Sequence, residues 1–286
     1  GGVVEHHRPQ QGHLDRAAGG PGSQGGGYGA RAQSGGALTL ARALIADNSY
    51  IALVARNGAT RLSLADVAVR NTRPIELDGL STSLGLLALE GAVVDADRVV
   101  VSGFSATGVG VVGATLDAQD LYVLDPALAG SFGGFGALVS ERSTARLTRA
   151  AFSAARGVGV SLEDSSNAMG STLTARGLYV ARVTDGPTSV ADAMATEAYG
   201  VSVGPGTTID VTETVLDGGG WGFFQTLGTV RMRDGVIAHQ RRGAGASNGV
   251  AGTGRLTIER VAFAQNGRDD VLRDVRLPAV RLSPPR

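Results

Sequence analysis

Cysteine is absent from the 286 residues, which excludes disulfides and thiolate metal sites. Lysine is absent as well. All 26 basic residues are arginine, and they are matched by 26 acidic ones. A general nucleic-acid or polyanion binder would carry a basic excess, so the balance argues against that class. We read the arginine-only usage as the mark of a GC-rich genome and not as chemistry. Aromatic residues are scarce, at 5% against 43% hydrophobic overall. Any core must therefore be built from Leu, Val, Ile and Ala. No apolar run reaches the roughly 18 residues of a transmembrane helix, so none is expected. The chain opens Gly1-Gly2-Val3 without an initiator Met or a signal peptide. This leads us to expect a fragment or a processed form of a longer protein.

Glycine, at 44 residues, is abundant without the every-third period of collagen. The apolar residues follow a short, recurring phrase: apolar, x, apolar, x, x, apolar or small, x, apolar. Copies begin at Leu38, Leu62, Val94, Leu116, Ala145, Leu173, Ile209, Val230 and Leu256. A turn-rich stretch and a third short apolar segment usually follow, as at Ile51–Leu53, Val109–Val111, Val158–Val160 and Val201–Val203. Period two in short segments is a strand signal, and a repeat of this size marks a solenoid. Three short strands per turn with tight corners describe an all-β parallel β-helix solenoid of about nine to ten coils. Successive strands would lie about 4.8 Å apart, with inward residues stacked in columns. The small inward residues Ala43, Ala96 and Ala150 suit a narrow interior.

The intervals between copies alternate short and long, so the expected unit is a pair of coils. The extra residues are expected as loops after the second strand, at 70–84, 124–134, 181–199 and 238–248. Residues 1–36 read as a partial first coil with a Gly-rich loop, low enough in complexity for disorder. Residues 37–277 read as the β-helix. Residues 278–286 read as a Pro-rich tail or cap, since proline stops strand pairing.

The fifth place of the phrase carries charge: Arg42, Asp66, Arg98, Asp120, Arg149, then Gly177, Glu213, Asp234 and Arg260. The first five alternate in sign. Stacked at strand spacing, they would form an exterior ionic ladder that sets register. Exposed pairs add little stability. The sequence alone offers no reason for the break at Gly177 or for Glu213 lying against Asp234.

The phrasing of Asp66 through Pro74 and of Leu38 through Asn48 resembles the right-handed parallel β-helix of the pectin-lyase-like superfamily, in particular bacterial tandem β-helix surface proteins of myxobacterial type. The resemblance spans nearly the whole chain. It implies an exported or cell-surface protein and leaves activity open, because the scaffold carries many functions. Its lyases and hydrolases imply carbohydrate chemistry, and its adhesins imply binding only.

Candidate chemistry is sparse. A hydrolase of that superfamily would bring paired Asp motifs with Gly-His-Gly and Arg-x-Lys, and neither of the last two occurs here. Arg268-Asp269-Asp270 is the only Asp pair in sequence and reads as an exposed acidic turn. The second place of the phrase would stack Asp95 on Asp117, followed by Arg146. Two carboxylates one rung apart suit a shared hard cation, or the nucleophile and acid of a retaining glycosidase, about 5 Å apart. The plainer reading is a solvated face with Asp117 relieved by Arg146. Calcium enters only under a lyase reading, and no other cofactor is expected. His6, His7 and His13 fit no zinc spacing. Trp221, with Phe223 and Phe224, would stack on a sugar ring if exterior or fill the core if interior. Arg241 and Arg242 would touch an acidic sugar or form a solvated loop.

The leading expectation is a non-catalytic, exported or surface β-helix that binds an extended polysaccharide or cell-surface component along its loop-bearing side. Trp221, Arg241 and Arg242 are its candidate contacts. The alternative is a polysaccharide lyase or glycoside hydrolase acting on an acidic polysaccharide through Asp95, Asp117 and Arg146.

Overall fold

A computed structural model describes residues 27–77, 80–124, 134–165, 170–185, 198–225, 227–246 and 255–267. The described residues contain strands and no helix. They wind into a right-handed parallel β-helix built from two stacks of strands. One stack holds the long strands Ala37–Ala46, Arg61–Arg70, Val93–Ser102, Thr115–Leu124, Thr144–Ser153 and Thr172–Ala181. The other holds the short strands Tyr28–Gln33, Ile51–Arg56, Leu84–Leu89, Thr107–Val112, Phe135–Ser140, Val158–Leu162 and Tyr199–Val203. Two 18-residue strands, Thr208–Gln225 and Thr229–Ala246, belong to both stacks and join them into one sheet. Arg255–Ala264 follows as the last long strand.

Each long strand contains the first two segments of the repeat, bent at the fifth place. There the backbone enters the left-handed region in all nine copies, with φ from 51° at Arg42 to 72° at Gly177. Side chains rarely tolerate this conformation, which glycine adopts freely. Gly177 therefore occupies the ladder position at no conformational cost. Five residues on, a second left-handed residue turns the chain again, as at Asp47, Asn71, Gly103 and His239. Between corners the pleat alternates, so places one, three, six and eight of the phrase point inward.

Pairing is in register throughout. Leu62 sits beside Val94, Val94 beside Leu116 and Leu116 beside Ala145. The interior is one continuous apolar cluster, with Leu62, Val101, Leu121, Phe152, Leu178 and Leu216 fully buried. Ala43, Ala96 and Ala150 all face this core.

A second column governs the width of the tube. The second residue of the short strands is glycine in most coils: Gly29, Gly85, Gly108, Gly136, Gly159, Gly200 and Gly222. A Cβ added at Gly108 would lie 2.8 Å from the Gly136 carbonyl oxygen, and one at Gly200 would lie 2.7 Å from that of Gly222. The backbones are packed too closely there for a side chain. Ala52 is the exception, and it is fully buried.

The loop after Arg61–Arg70 carries a small antiparallel hairpin, Ile75–Leu77 with Leu80–Thr82. The expected loop at 238–248 is corrected: strand pairing continues through Ala246, because the corner at His239 is a single left-handed residue that keeps register with Gly218 and Gln265. Most of the loops at 124–134 and 181–199 lie outside the described residues. So do residues 1–26, His6, His7 and His13 among them, the Arg268-Asp269-Asp270 turn and the 278–286 tail.

Candidate functional site

The outer face of the first half of each long strand presents places two and four of the phrase. In place two, Ser63 pairs with Asp95, Asp95 with Asp117, and Asp117 with Arg146. These residues line a shallow groove of about 470 Å³ together with Asp97, Gln119 and Thr148. Ala65, in place four, leaves the groove low beside Ser63. The stacking of Asp95, Asp117 and Arg146 inferred from spacing is thus the arrangement the fold produces.

Each carboxylate in the groove has a cationic or amide donor. Arg61 Nε donates to Asp95 Oδ2 at 2.8 Å. Arg146 Nη1 donates to both oxygens of Asp117, at 3.1 and 3.4 Å. Asp97 accepts from Arg98 and, at 3.5 Å, from Gln119 Nε2. Asp95 and Asp117 are nearly half exposed, at 41% and 44% of their side chains. Each of the two thus stands in solvent with a guanidinium against it. Among the described residues no group of three or more His, Asp or Glu side chains converges as a metal site would require.

Around the corner from the groove lies the charge ladder. It runs as discrete pairs, in which Arg98, Arg149 and Arg260 each reach back one coil to an acid. Arg98 Nε and Nη2 donate to Asp66 at 2.5 and 3.0 Å. Arg149 donates to Asp120 at 2.6 Å from both nitrogens. Arg260 does the same to Asp234, with Nη2 at 2.7 Å. Glu213 turns away from Asp234 toward Arg176, at 2.9 Å. Arg176 adjoins Gly177 and replaces the cation that the glycine cannot supply. The hydrogen bond from its arginine holds each of Asp66, Asp120 and Asp234 below the ordinary carboxylate range. Arg56 does the same for Glu90 at the opposite edge of the tube.

The aromatic stretch around Trp221 divides between the two faces. Phe223 is fully buried in the core. Trp221 and Phe224 lie on the outside, half-buried, with ring centroids 5.8 Å apart. Tyr199 completes the group at 4.7 Å from Phe224. Arg242 is the register partner of Trp221, though its side chain lies outside the described set. Arg241 is exposed and its guanidinium pairs with Asp185. The fold therefore gathers the three binding candidates in one region, with Arg241 engaged by an acid of its own chain.

His239 bridges its two neighbours along the second corner. Its Nδ1 meets Asp217 at 2.6 Å and its Nε2 meets Gln265 Oε1 at 2.5 Å. These hydrogen bonds, Asp217 foremost, raise the imidazole above its ordinary value. Both ring nitrogens are occupied, so the histidine serves the coil contact.

No protein-family profile and no curated protein matches the sequence. Several solved structures are similar in fold. A periplasmic alginate epimerase, AlgG, is 8% identical over 73% of this chain and 61% of that one, with a TM-score of 0.38. ORF18 of Geobacillus virus E2 is 12% identical over 81% and 51%, with a TM-score of 0.26. The PfbA surface adhesin of Streptococcus pneumoniae is 8% identical over 87% of each chain, with a TM-score of 0.24. The chain spans less than two thirds of the epimerase's length. The parallel β-helix architecture rests on the strand pairing described above.

Proposed function

We propose that the chain is a non-catalytic β-helix that binds an extended polysaccharide lengthwise along its outer surface, in an exported or cell-surface setting. The observation that carries this reading is the groove over Asp95, Asp117 and Arg146. Its polar groups repeat at about 4.8 Å, the strand spacing, along the tube axis. That suits a linear polymer, which meets a polar side chain at each rung. The guanidinium at each of Asp95 and Asp117 supports binding over acid–base chemistry. Trp221 with Arg241 and Arg242 is a second contact region under the same reading. The competing reading is a lyase or hydrolase using Asp95, Asp117 and Arg146, with calcium as a lyase cofactor.

One experiment separates the two. The protein is run in affinity gels containing polygalacturonate, alginate, chitosan, xylan or galactomannan, and each polymer is assayed for chain cleavage. The expected result is retardation by at least one polymer without cleavage, weakened about tenfold by Arg146→Ala. Cleavage by the parent that Asp117→Asn abolishes would overturn the binding reading.

A further inference from the structure

The second half of each long strand lies between the two left-handed corners, so only two of its four residues face outward. The first of these, in the seventh place of the phrase, forms a stripe from Leu44 to Ala262 that is apolar at every rung. Its centre reads Val100, Tyr122, Ala151, Tyr179 and Val215, joined by register. The large hydrophobic residues exposed among the described set are Leu44, Tyr122 and Tyr179, at 62%, 40% and 41%. All three belong to this stripe. Leu44 lies on the first long strand described, which has a described partner on one side, Arg61–Arg70. Tyr122 and Tyr179 lie mid-tube, with neighbours on both sides, and are exposed by the direction in which they point.

The shape of the stripe narrows what can cover it. Nine rungs span about 38 Å, and two outward residues span about 7 Å. The face thus offers roughly 270 Å², a third of the ~800 Å² per partner typical of a stable protein–protein interface. A second copy of the chain is too broad an occupant for it, and a slender linear molecule fits. Its charge is also constrained. The bordering ladder is already paired within the chain, as Asp66 with Arg98 and Asp120 with Arg149. It presents no unmatched row of one sign to a polyanion or a polycation. The two rings stand two rungs apart, about 9.6 Å, with only the methyl group of Ala151 between them. Flat aromatic platforms with polar tips suit a partner that is apolar on one face and hydroxylated at its edges, as a pyranose chain is.

We propose that this stripe is a second binding site, for a neutral polysaccharide lying along the tube axis, with Tyr122 and Tyr179 as the stacking platforms. It rests on the glycan-binding reading above and differs from it in face, in residues and in the charge of the ligand. The test uses the whole chain in affinity gels of xylan and galactomannan, with polygalacturonate and chitosan as charged counterparts. The double variant Tyr122→Ala/Tyr179→Ala is expected to lose at least tenfold in affinity for a neutral polymer. Tyr122→Phe/Tyr179→Phe, which keeps the rings, should restore binding to within about threefold of the parent. Circular dichroism confirms that each variant is folded. Neutral-polymer binding that the alanine pair leaves intact and Arg146→Ala removes would overturn the stripe and leave the groove standing. Loss in the alanine pair alone would support the stripe and count against the groove for that polymer. Failure of the parent to bind either neutral polymer overturns the proposal, whatever the charged polymers do. So does a parent dimer in sedimentation that the alanine pair dissociates.

Discussion

Gly159→Val is expected to destabilise the protein by about 3 kcal/mol or more, the upper end of what overpacking costs. The reason is backbone, and side-chain adjustment offers little relief. A Cβ at this position would collide with Val180 Cγ1 and lie 2.6 Å from the Gly200 carbonyl oxygen. Valine rotamers could retreat slightly, but the carbonyl belongs to the next short strand and is fixed by pairing of Val160 with Val201. Moving it would break the register that every later coil inherits. Gly159→Ala should cost less but remain measurable, because the Cβ alone makes the contact. Ala52, native in the same column, shows that a tube of slightly different local width accepts a methyl group. Urea unfolding followed by circular dichroism supplies the check. A Gly159→Val midpoint within error of the parent would contradict the close approach of the coils.

Phe152→Ala should cost about 3–5 kcal/mol, the range for emptying a buried aromatic site. Phe152 is fully buried and stacks between Val123 and Val180 in the eighth-place column. The ring occupies space left by the absent side chain of Gly136, whose added Cβ would lie 3.2 Å from Phe152 Cβ and Cδ1. No neighbour can swing in to fill the gap, since the flanking valines are short and β-branched. Phe152→Leu should cost less than half as much. Tyr122→Ala, on the outer face, is the matching control and should leave the unfolding midpoint nearly unchanged. Equal effects of the two alanine variants would mean that inside and outside have been exchanged.

The coil architecture could be read from sequence because its signal is repeated. The alternation of Leu62, Leu64, Val67 and Val69 recurs in nine copies, and each copy corroborates the phase of the others. The stacking of Asp95 on Asp117 followed from that phase alone. The left-handed corner was harder to read. Arginine and glutamate do not advertise positive φ, and of the nine fifth-place residues only Gly177 carries a strong signal for it. The glycine column was legible and easily overlooked. Apolar-Gly-apolar recurs at Tyr28–Ala30, Leu84–Leu86, Phe135–Ala137 and Trp221–Phe223, but its meaning depends on knowing that those glycines lie side by side. The partners of Glu213 and Asp217 were not readable. Glu213 turns to Arg176, a residue outside its own column, and His239 meets Asp217 only after a corner that the sequence reads as the start of a loop.

Both proposed surfaces depend on equivalent side chains standing in columns on the outside of the tube. The chain has no cysteine, so paired cysteines report on this without interference. Tyr122 and Ala151 are register partners, about 4.8 Å apart at Cα, inside the 4.4–6.8 Å range a disulfide requires. Under mild oxidation, Tyr122→Cys/Ala151→Cys should form an intramolecular crosslink in the folded protein. Tyr122→Cys/Tyr179→Cys, two rungs apart, should stay reduced. Crosslinking of the second pair in preference to the first would contradict the stacking on which the groove and the stripe are built.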